Sequence, residues 1–228
     1  TSWERAWGAD ATADIAAAHL ADPPLDLTPR TDADGWAGRI GGLLQPTGTI
    51  RVVDAGPVAE LPGYAEGAWW VQDAAAALPA RLLGDVAGRS VVDLCAAPGG
   101  KTAQLAAAGA RVTAVDLSPR RSRMLAENMA RLGLAADIVT ADGTAWRPPE
   151  PVDAVLVDAP CSATGTIRRH PDILHLRRRE EIERLVPLQD RLLAAAVGMV
   201  RPGGHIVFAT CSLQPEEGMA RIEALLAS

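Results

Sequence analysis

A doubly wound α/β fold, built on a mostly parallel sheet and preceded by a small α+β subdomain, is predicted by three features of the sequence. From Ser90 onward, short apolar runs alternate with segments of helical period, and strict alternation of strand and helix means parallel strands joined by crossover helices. A glycine-rich loop, Cys95-Ala96-Ala97-Pro98-Gly99-Gly100-Lys101-Thr102, follows the first of those strands. Acids and cysteines recur at the ends of later strands, where open α/β sheets bind their ligands.

Taken in order, Thr1 to about Gly63 is punctuated by proline and glycine and reads as a few short elements, and Asp73 to Leu83 has helical period. Val91-Val92-Asp93-Leu94 reads as a buried strand, Lys101 to Ala108 as a helix, Val112 to Val115 as a strand and Pro119 to Leu132 as a helix. Strands follow near Ile138-Val139-Thr140 and at Ala154 to Val157, then a long helix near Leu188 to Val200 and a strand at Ile206 to Ala209. A last helix starts near Pro215-Glu216-Glu217 and runs to Ser228 with no strand after it, so we expect a chain whose C-terminal strands are missing. The expected organisation is a small, partial N-terminal subdomain over residues 1–60 and a main domain over residues 61–228.

The chain has 228 residues, 48% of them hydrophobic, enough for one substantial core. Its net charge of −6 is unevenly spread: residues 1–89 carry 12 acids and 6 bases, whereas residues 90–228 carry 16 of each. Within the neutral half, Arg168-Arg169-His170-Pro171-Asp172 followed by Arg177-Arg178-Arg179 forms a basic patch of the kind that meets phosphates. The competing explanation is a solvated helix face paired with Glu180, Glu181 and Glu183. No apolar run approaches the roughly 18 residues of a membrane span and no signal peptide precedes Thr1, so we expect a soluble cytoplasmic monomer without a membrane partner. Three cysteines, an odd number, argue for reduced thiols. The absence of a CxxC pair and the scatter of His19, His170, His175 and His205 argue against a metal site.

Gly100-Lys101-Thr102 with the later Val155-Leu156-Val157-Asp158 imitates a phosphate loop, but that motif needs a glycine five positions before the glycine of its Gly-Lys-Thr, and Cys95 stands there. Asp116, at the end of the second strand, is placed to take two ribose hydroxyls, and Asp142, after the third, to reach an adenine amino group; either acid alone is more often a cap or turn former. A nucleoside without a triphosphate fits this set. Lys101 is the only lysine among 22 basic residues, which hints that a compact ammonium is needed in the loop, with chance as the competing explanation. Cys161 and Cys211 each follow a strand, so both sulfurs should face one cleft with the loop, suggesting a thiol nucleophile beside a cofactor; the ordinary alternative is a small buried hydrophobe.

The segments Asp93 to Thr102, Asp158-Ala159-Pro160-Cys161-Ser162-Ala163-Thr164-Gly165 with its Arg168-Arg169-His170-Pro171-Asp172 tail, and Ala209-Thr210-Cys211-Ser212 resemble the signature set of the Sun (Fmu, RsmB) branch of the RNA (cytosine-5) methyltransferases. The resemblance covers about Leu61 to Ser228, including Pro62-Gly63-Tyr64 through Val71-Gln72-Asp73-Ala74; residues 1–60 resemble the family's small RNA-binding subdomain only loosely. It implies the Rossmann-like class I fold and S-adenosyl-L-methionine held by Cys95, Ala96, Ala97, Pro98, Gly99, Gly100, Lys101, Asp116, Asp142 and Asp158. The same resemblance gives nucleophilic attack to Cys211, product release to Cys161 and the base edge to Asp158. It further implies an RNA substrate, a cytosine of small-subunit ribosomal RNA, with Arg168, Arg169 and His170 at the RNA surface. Chemistry makes a parallel demand: carbon 5 of cytosine is a poor nucleophile until a thiolate adds to carbon 6. Two other classes stay open here, a P-loop-like NTPase and a non-catalytic RNA-binding assembly factor on the same fold.

Overall fold

The computed structural model describes residues 2–176 and 178–227. Arg177 of the basic patch, Thr1 and the terminal Ser228 lie outside the described residues. In chain order the elements are α1 (Ser2–Trp7), α2 (Ala9–Leu20), β1 (Leu25–Pro29), α3 (Ala33–Ile40), β2 (Leu43–Leu44), β3 (Ile50–Val52), β4 (Trp69–Val71), α4 (Leu78–Arg81), β5 (Ser90–Leu94), α5 (Gly100–Ala107), β6 (Arg111–Asp116), α6 (Pro119–Leu132), β7 (Asp137–Thr140), β8 (Val152–Asp158), α7 (Ile173–Leu176), α8 (Arg179–Val197), β9 (Val200–Ala209) and α9 (Met219–Leu226). They fall into two compact units, one of residues 24–158 with 195–208, the other of residues up to 23, 159–194 and 209 onward.

The first unit holds two sheets. The five-stranded sheet has the order β7-β6-β5-β8-β9, with β5 parallel to both β6 and β8 and β6 parallel to β7, as the alternation of elements predicts. Central strands covered on both faces read as continuous apolar runs, and Val91, Val92 and Leu94 of β5 and Val155, Leu156 and Val157 of β8 are all buried. Helix α6 spans the predicted residues because each signal agrees: Ser118 caps it, Pro119 opens it, Gly133 ends it in the left-handed region, and Leu125, Met129 and Leu132 form its buried stripe.

The second sheet, β2-β3-β1-β4, is antiparallel and closes around Leu27, Ile50, Val52 and Trp69. Its strand β4 lies beyond the boundary expected at residue 60 and pairs with β1. Trp70 of the same strand joins Ala103, Leu125 and Met129 in the core under α6.

Two helices depart from expectation. Of Asp73 to Leu83 only Leu78–Arg81 is helical, because the Asp73 carboxylate takes the Ala75 N–H in a local turn. Helix α8 begins at Arg179 and carries Pro187 inside it, whereas the helix was expected from Leu188; a proline there removes one hydrogen bond without ending an otherwise supported helix.

In the second unit, α1 packs against α2, and Trp7 Nε1 of α1 donates to the Leu213 carbonyl (3.0 Å). No helix among the described residues is long and apolar enough to cross a membrane.

Gly67 marks a close approach within the first unit. It has φ +64° and a Cβ there would overlap the Arg131 carbonyl, whereas Gly84, with φ +69°, faces open space. Gly67→Ala should therefore cost at least about 2 kcal/mol and Gly84→Ala only about 1 kcal/mol, from backbone strain alone. Urea unfolding of the two variants tests this; equal losses would mean the chain at Gly67 yields freely.

Candidate functional site

The glycine-rich loop is shaped by what surrounds the end of β5. Cys95 turns through the left-handed region (φ 61°), Ala96 N bonds the Val115 carbonyl (3.1 Å) and Ala97 N bonds Asp116 Oδ2 (3.2 Å), tying the loop to β6. Gly99 (φ 105°) then caps α5, with Leu125 close against it. Asn128 Nδ2 from α6 holds the Pro98 carbonyl (2.8 Å).

This loop walls a pocket of about 450 Å³. Ala96, Ala97, Pro98, Gly99, Gly100, Lys101 and Asp158 line it, together with Val58, Tyr64, Trp70, Gln72, Asp93, Asn128, Arg131 and Leu132. The lone lysine is ion-paired at the loop: Lys101 Nζ stands 2.7 Å from Asp158 Oδ2. A phosphate loop would aim that ammonium at its ligand; here it is paired.

Cys95, Asp116 and Asp142 do not line the pocket. Burial pushes the Cys95 thiol up to about 12, which leaves it inert, so that only its backbone shapes the loop. Asp116 is buried and spends its carboxylate on protein donors, Ala97 N, Ser118 N (2.9 Å) and Arg121 Nη2 (3.0 Å). Asp142 is exposed, and its Oδ1 takes the Thr144 N–H and hydroxyl, the turn-forming alternative in structural terms.

Sequence reasoning did not single out Asp93. It is fully buried in β5, its Oδ2 accepts from Thr102 Oγ1 (2.6 Å), and its Oδ1 has no partner among the described residues. Burial pushes its carboxyl up to about 7, aided by the nearby Asp158 and opposed by the Thr102 bond and the Lys101 charge. The signal was there, an acid inside an apolar strand. Trp70, Asn128 and Arg131 carried no such signal, since their place on the pocket depends on which helix faces which loop.

The second unit contains the thiol pair. Cys161 Sγ and Cys211 Sγ are 3.3 Å apart, a hydrogen-bonding distance well beyond the roughly 2.05 Å of a disulfide. Cys211 is exposed and Cys161 half-buried. The hydrogen bond to Cys211, then burial, then the Cys211 charge drive the Cys161 thiol far upward, so Cys161 stays protonated and can donate its S–H to Cys211. The segments are stitched together beside the sulfurs: Ala159 N bonds the Ala209 carbonyl (2.9 Å), Gly165 N the Cys211 carbonyl (2.8 Å) and Leu213 N the Thr164 hydroxyl (2.9 Å).

Beyond Cys161, Ile167 and Ile173 are buried anchors, Arg168 and Arg169 are half-buried and His170 is exposed. The Arg168 charge adds to burial in lowering the pKa of His19. No group of three or more His, Cys, Asp or Glu that could hold a metal occurs among the described residues.

The model of the 16S rRNA methyltransferase RsmB/F family matches residues 80–228. The chain is 46% identical over 183 residues to ribosomal RNA small subunit methyltransferase B of Klebsiella pneumoniae, covering 78% of this chain and 42% of that protein. It is 39% identical over 241 residues to the Cronobacter sakazakii protein of the same name, covering 99% and 55%. The chain thus spans about half the length of the curated relatives it matches. A methyltransferase homolog from Pyrococcus horikoshii, 26% identical, superposes with a TM-score of 0.84 over 99% of this chain and 76% of that one.

Asp93 makes stability depend on pH. Its folded pKa of about 7 exceeds the ordinary 3.8, so between those values the folded state holds a proton that the unfolded state has lost. Its contribution is full below pH 3.8 and is lost as pH rises through about 7, with a slope of up to about 1.4 kcal/mol per pH unit. Asp93→Asn keeps an acceptor for Thr102 and removes the titration. Urea melts from pH 4.5 to 7.5 should show the parent losing stability relative to this variant; parallel curves would contradict the assignment.

Proposed function

Because the chain belongs to the 16S rRNA methyltransferase RsmB/F family, we propose that it transfers a methyl group from S-adenosylmethionine to carbon 5 of a cytosine in small-subunit ribosomal RNA, acting as a cytoplasmic monomer. The observation that carries this reading is the pair of sulfurs 3.3 Å apart on the Pro160-Cys161 and Thr210-Cys211 segments.

One cysteine suffices to activate the base; two allow attack and release to be divided. Exposed Cys211 adds as thiolate to carbon 6, forming the S–C bond and pushing the π electrons toward carbon 5. Asp158 holds the base edge by hydrogen bonding or protonating ring nitrogen 3. After methylation, solvent water takes the proton of carbon 5, the C5–C6 double bond re-forms and the Cys211 sulfur leaves as thiolate, with Cys161 assisting this elimination by giving its S–H hydrogen bond to the departing sulfur. The target base must be unstacked to be reached, which favours a loop or junction of structured RNA. Arg168, Arg169 and His170 meet its phosphates.

The residues present fit a cationic nucleoside cofactor. Two acids, Asp93 and Asp158, line a pocket that Trp70, Pro98 and Leu132 share with the cations Lys101 and Arg131, and the buried Asp93 Oδ1 has no hydrogen-bond partner among the described residues. The Cys95 to Lys101 loop, Asp116, Asp142 and Asp158 would hold it, Asp116 exchanging its exposed partner Arg121 for ribose hydroxyls. When bound, the cofactor supplies an electrophilic methyl group.

Bisulfite sequencing of ribosomal RNA incubated with the protein and S-adenosylmethionine tests the activity; no protected cytosine would refute it. Cys211→Ala should abolish transfer and leave no covalent RNA complex, whereas Cys161→Ala should accumulate a denaturant-resistant protein–RNA adduct when the cofactor is present. An adduct with Cys211→Ala instead would reverse the roles. Replacing Arg168 and Arg169 with alanine should flatten the salt dependence of RNA binding by about one unit of log–log slope for each phosphate no longer neutralised. An unchanged slope, read by filter binding across salt concentrations, would make that segment a structural face.

A further inference from the structure

Each segment of the thiol pair is anchored to one buried carboxylate that the reaction as described does not use. Glu217 sits in the short turn Pro215–Glu217 that precedes α9, and it is wholly buried. Its Oε1 accepts from Ser162 N (2.9 Å) and Gln189 Nε2 (3.1 Å), and its Oε2 accepts from Ser162 Oγ (2.5 Å) and Ser212 Oγ (2.6 Å).

The donors are neighbours of the thiols. Ser162 immediately follows Cys161, and Ser212 immediately follows Cys211. Gln189 Nε2 also donates to the carbonyl of Pro160, the residue before Cys161 (3.0 Å). One carboxylate therefore holds the backbone on both sides of one cysteine and the residue next to the other. Ser212 Oγ in turn accepts from Gln214 N (3.0 Å) and lies 3.0 Å from Ser162 Oγ, so the two hydroxyls and the carboxylate form one connected set.

A carboxylate buried among four donors, all of them neutral, is costly to desolvate, and an apolar residue of the same size would avoid that cost. What it supplies instead is directional acceptance from two separate loops, which dispersion cannot give. An amide at this position has a single acceptor oxygen and two N–H groups of its own, so it cannot receive all four donors.

We infer that Glu217 is a positioning residue that fixes the spacing and facing of the Cys161 and Cys211 thiols. The inference rests on the reading of those thiols as the working pair, and it predicts that Glu217 acts on the chemical step and not on cofactor binding.

The test uses the whole chain and two independent readouts. Phenylarsine oxide bridges only thiols that can meet at one arsenic atom, and its capture is followed by intact-mass spectrometry, with Cys161→Ala as the blank. Single-turnover methyl transfer is measured at saturating S-adenosylmethionine, and S-adenosylhomocysteine affinity by calorimetry. Glu217→Gln should slow arsenical capture and lower the single-turnover rate by on the order of ten- to a hundredfold, with S-adenosylhomocysteine affinity unchanged. Capture and turnover both equal to the parent's would overturn the inference, as would a loss confined to cofactor affinity. Should Glu217→Gln fail to fold, Ser212→Ala, which removes one of the four bonds, should show smaller losses in the same two readouts; equality with the parent would again overturn it. A parent chain that methylates no RNA cytosine would refute the methyltransferase reading, and arsenical capture would still decide whether Glu217 sets the thiol geometry.

Discussion

The hydrogen-bonded ladders on both sides of β5 are the constraint from which the pocket follows. Leu94 pairs with Val115 of β6 on one side and Val157 of β8 on the other, so Asp116 and Asp158 fall one residue beyond it, flanking the point where the chain must leave the sheet. The loop that leaves there bonds to each: Ala97 N to Asp116, Lys101 to Asp158. Parallel register turns two acids distant in sequence into a frame for one loop, and the left-handed turn at Cys95 is the geometry that fits inside it.

Each compact unit contains a buried acid in a role that apolar packing could not fill. Asp93 keeps one oxygen on Thr102 and leaves the other without a partner among the described residues. Glu217 has every donor it can take, from residues adjacent to the two thiols. A half-satisfied carboxylate favours a proton or a cation, whereas a fully satisfied one favours rigidity.

The five parallel strands and α6 were legible because local signals and long-range pairing agree there; Ser118, Pro119 and Gly133 bound α6 on the residues that periodicity marks. The antiparallel sheet was not. Its strands β2, β3 and β4 are only two or three residues long, and their pairing joins residues such as Leu27 and Val71 whose affinity for each other leaves no periodic trace. Within the site, loop and strand-end residues could be read because position after a strand predicts an edge. Position after a strand does not announce a local use as well: Asp142 Oδ1 also takes the Thr144 N–H and hydroxyl in its own turn. Glu217 was invisible for a different reason: in sequence it is one more acid at a helix start, and its partners come from residues 162 and 189.

The chain's sole lysine is largely buried and ion-paired on the wall of the pocket. The chain therefore has one side-chain amine, and it stands beside the carboxylate Asp158. Isotopic reductive methylation of that nitrogen would yield one side-chain resonance whose shift tracks the charge on its neighbour. The pocket thus carries its own built-in spectroscopic probe, a property that a lysine-rich homologue of identical fold would lack.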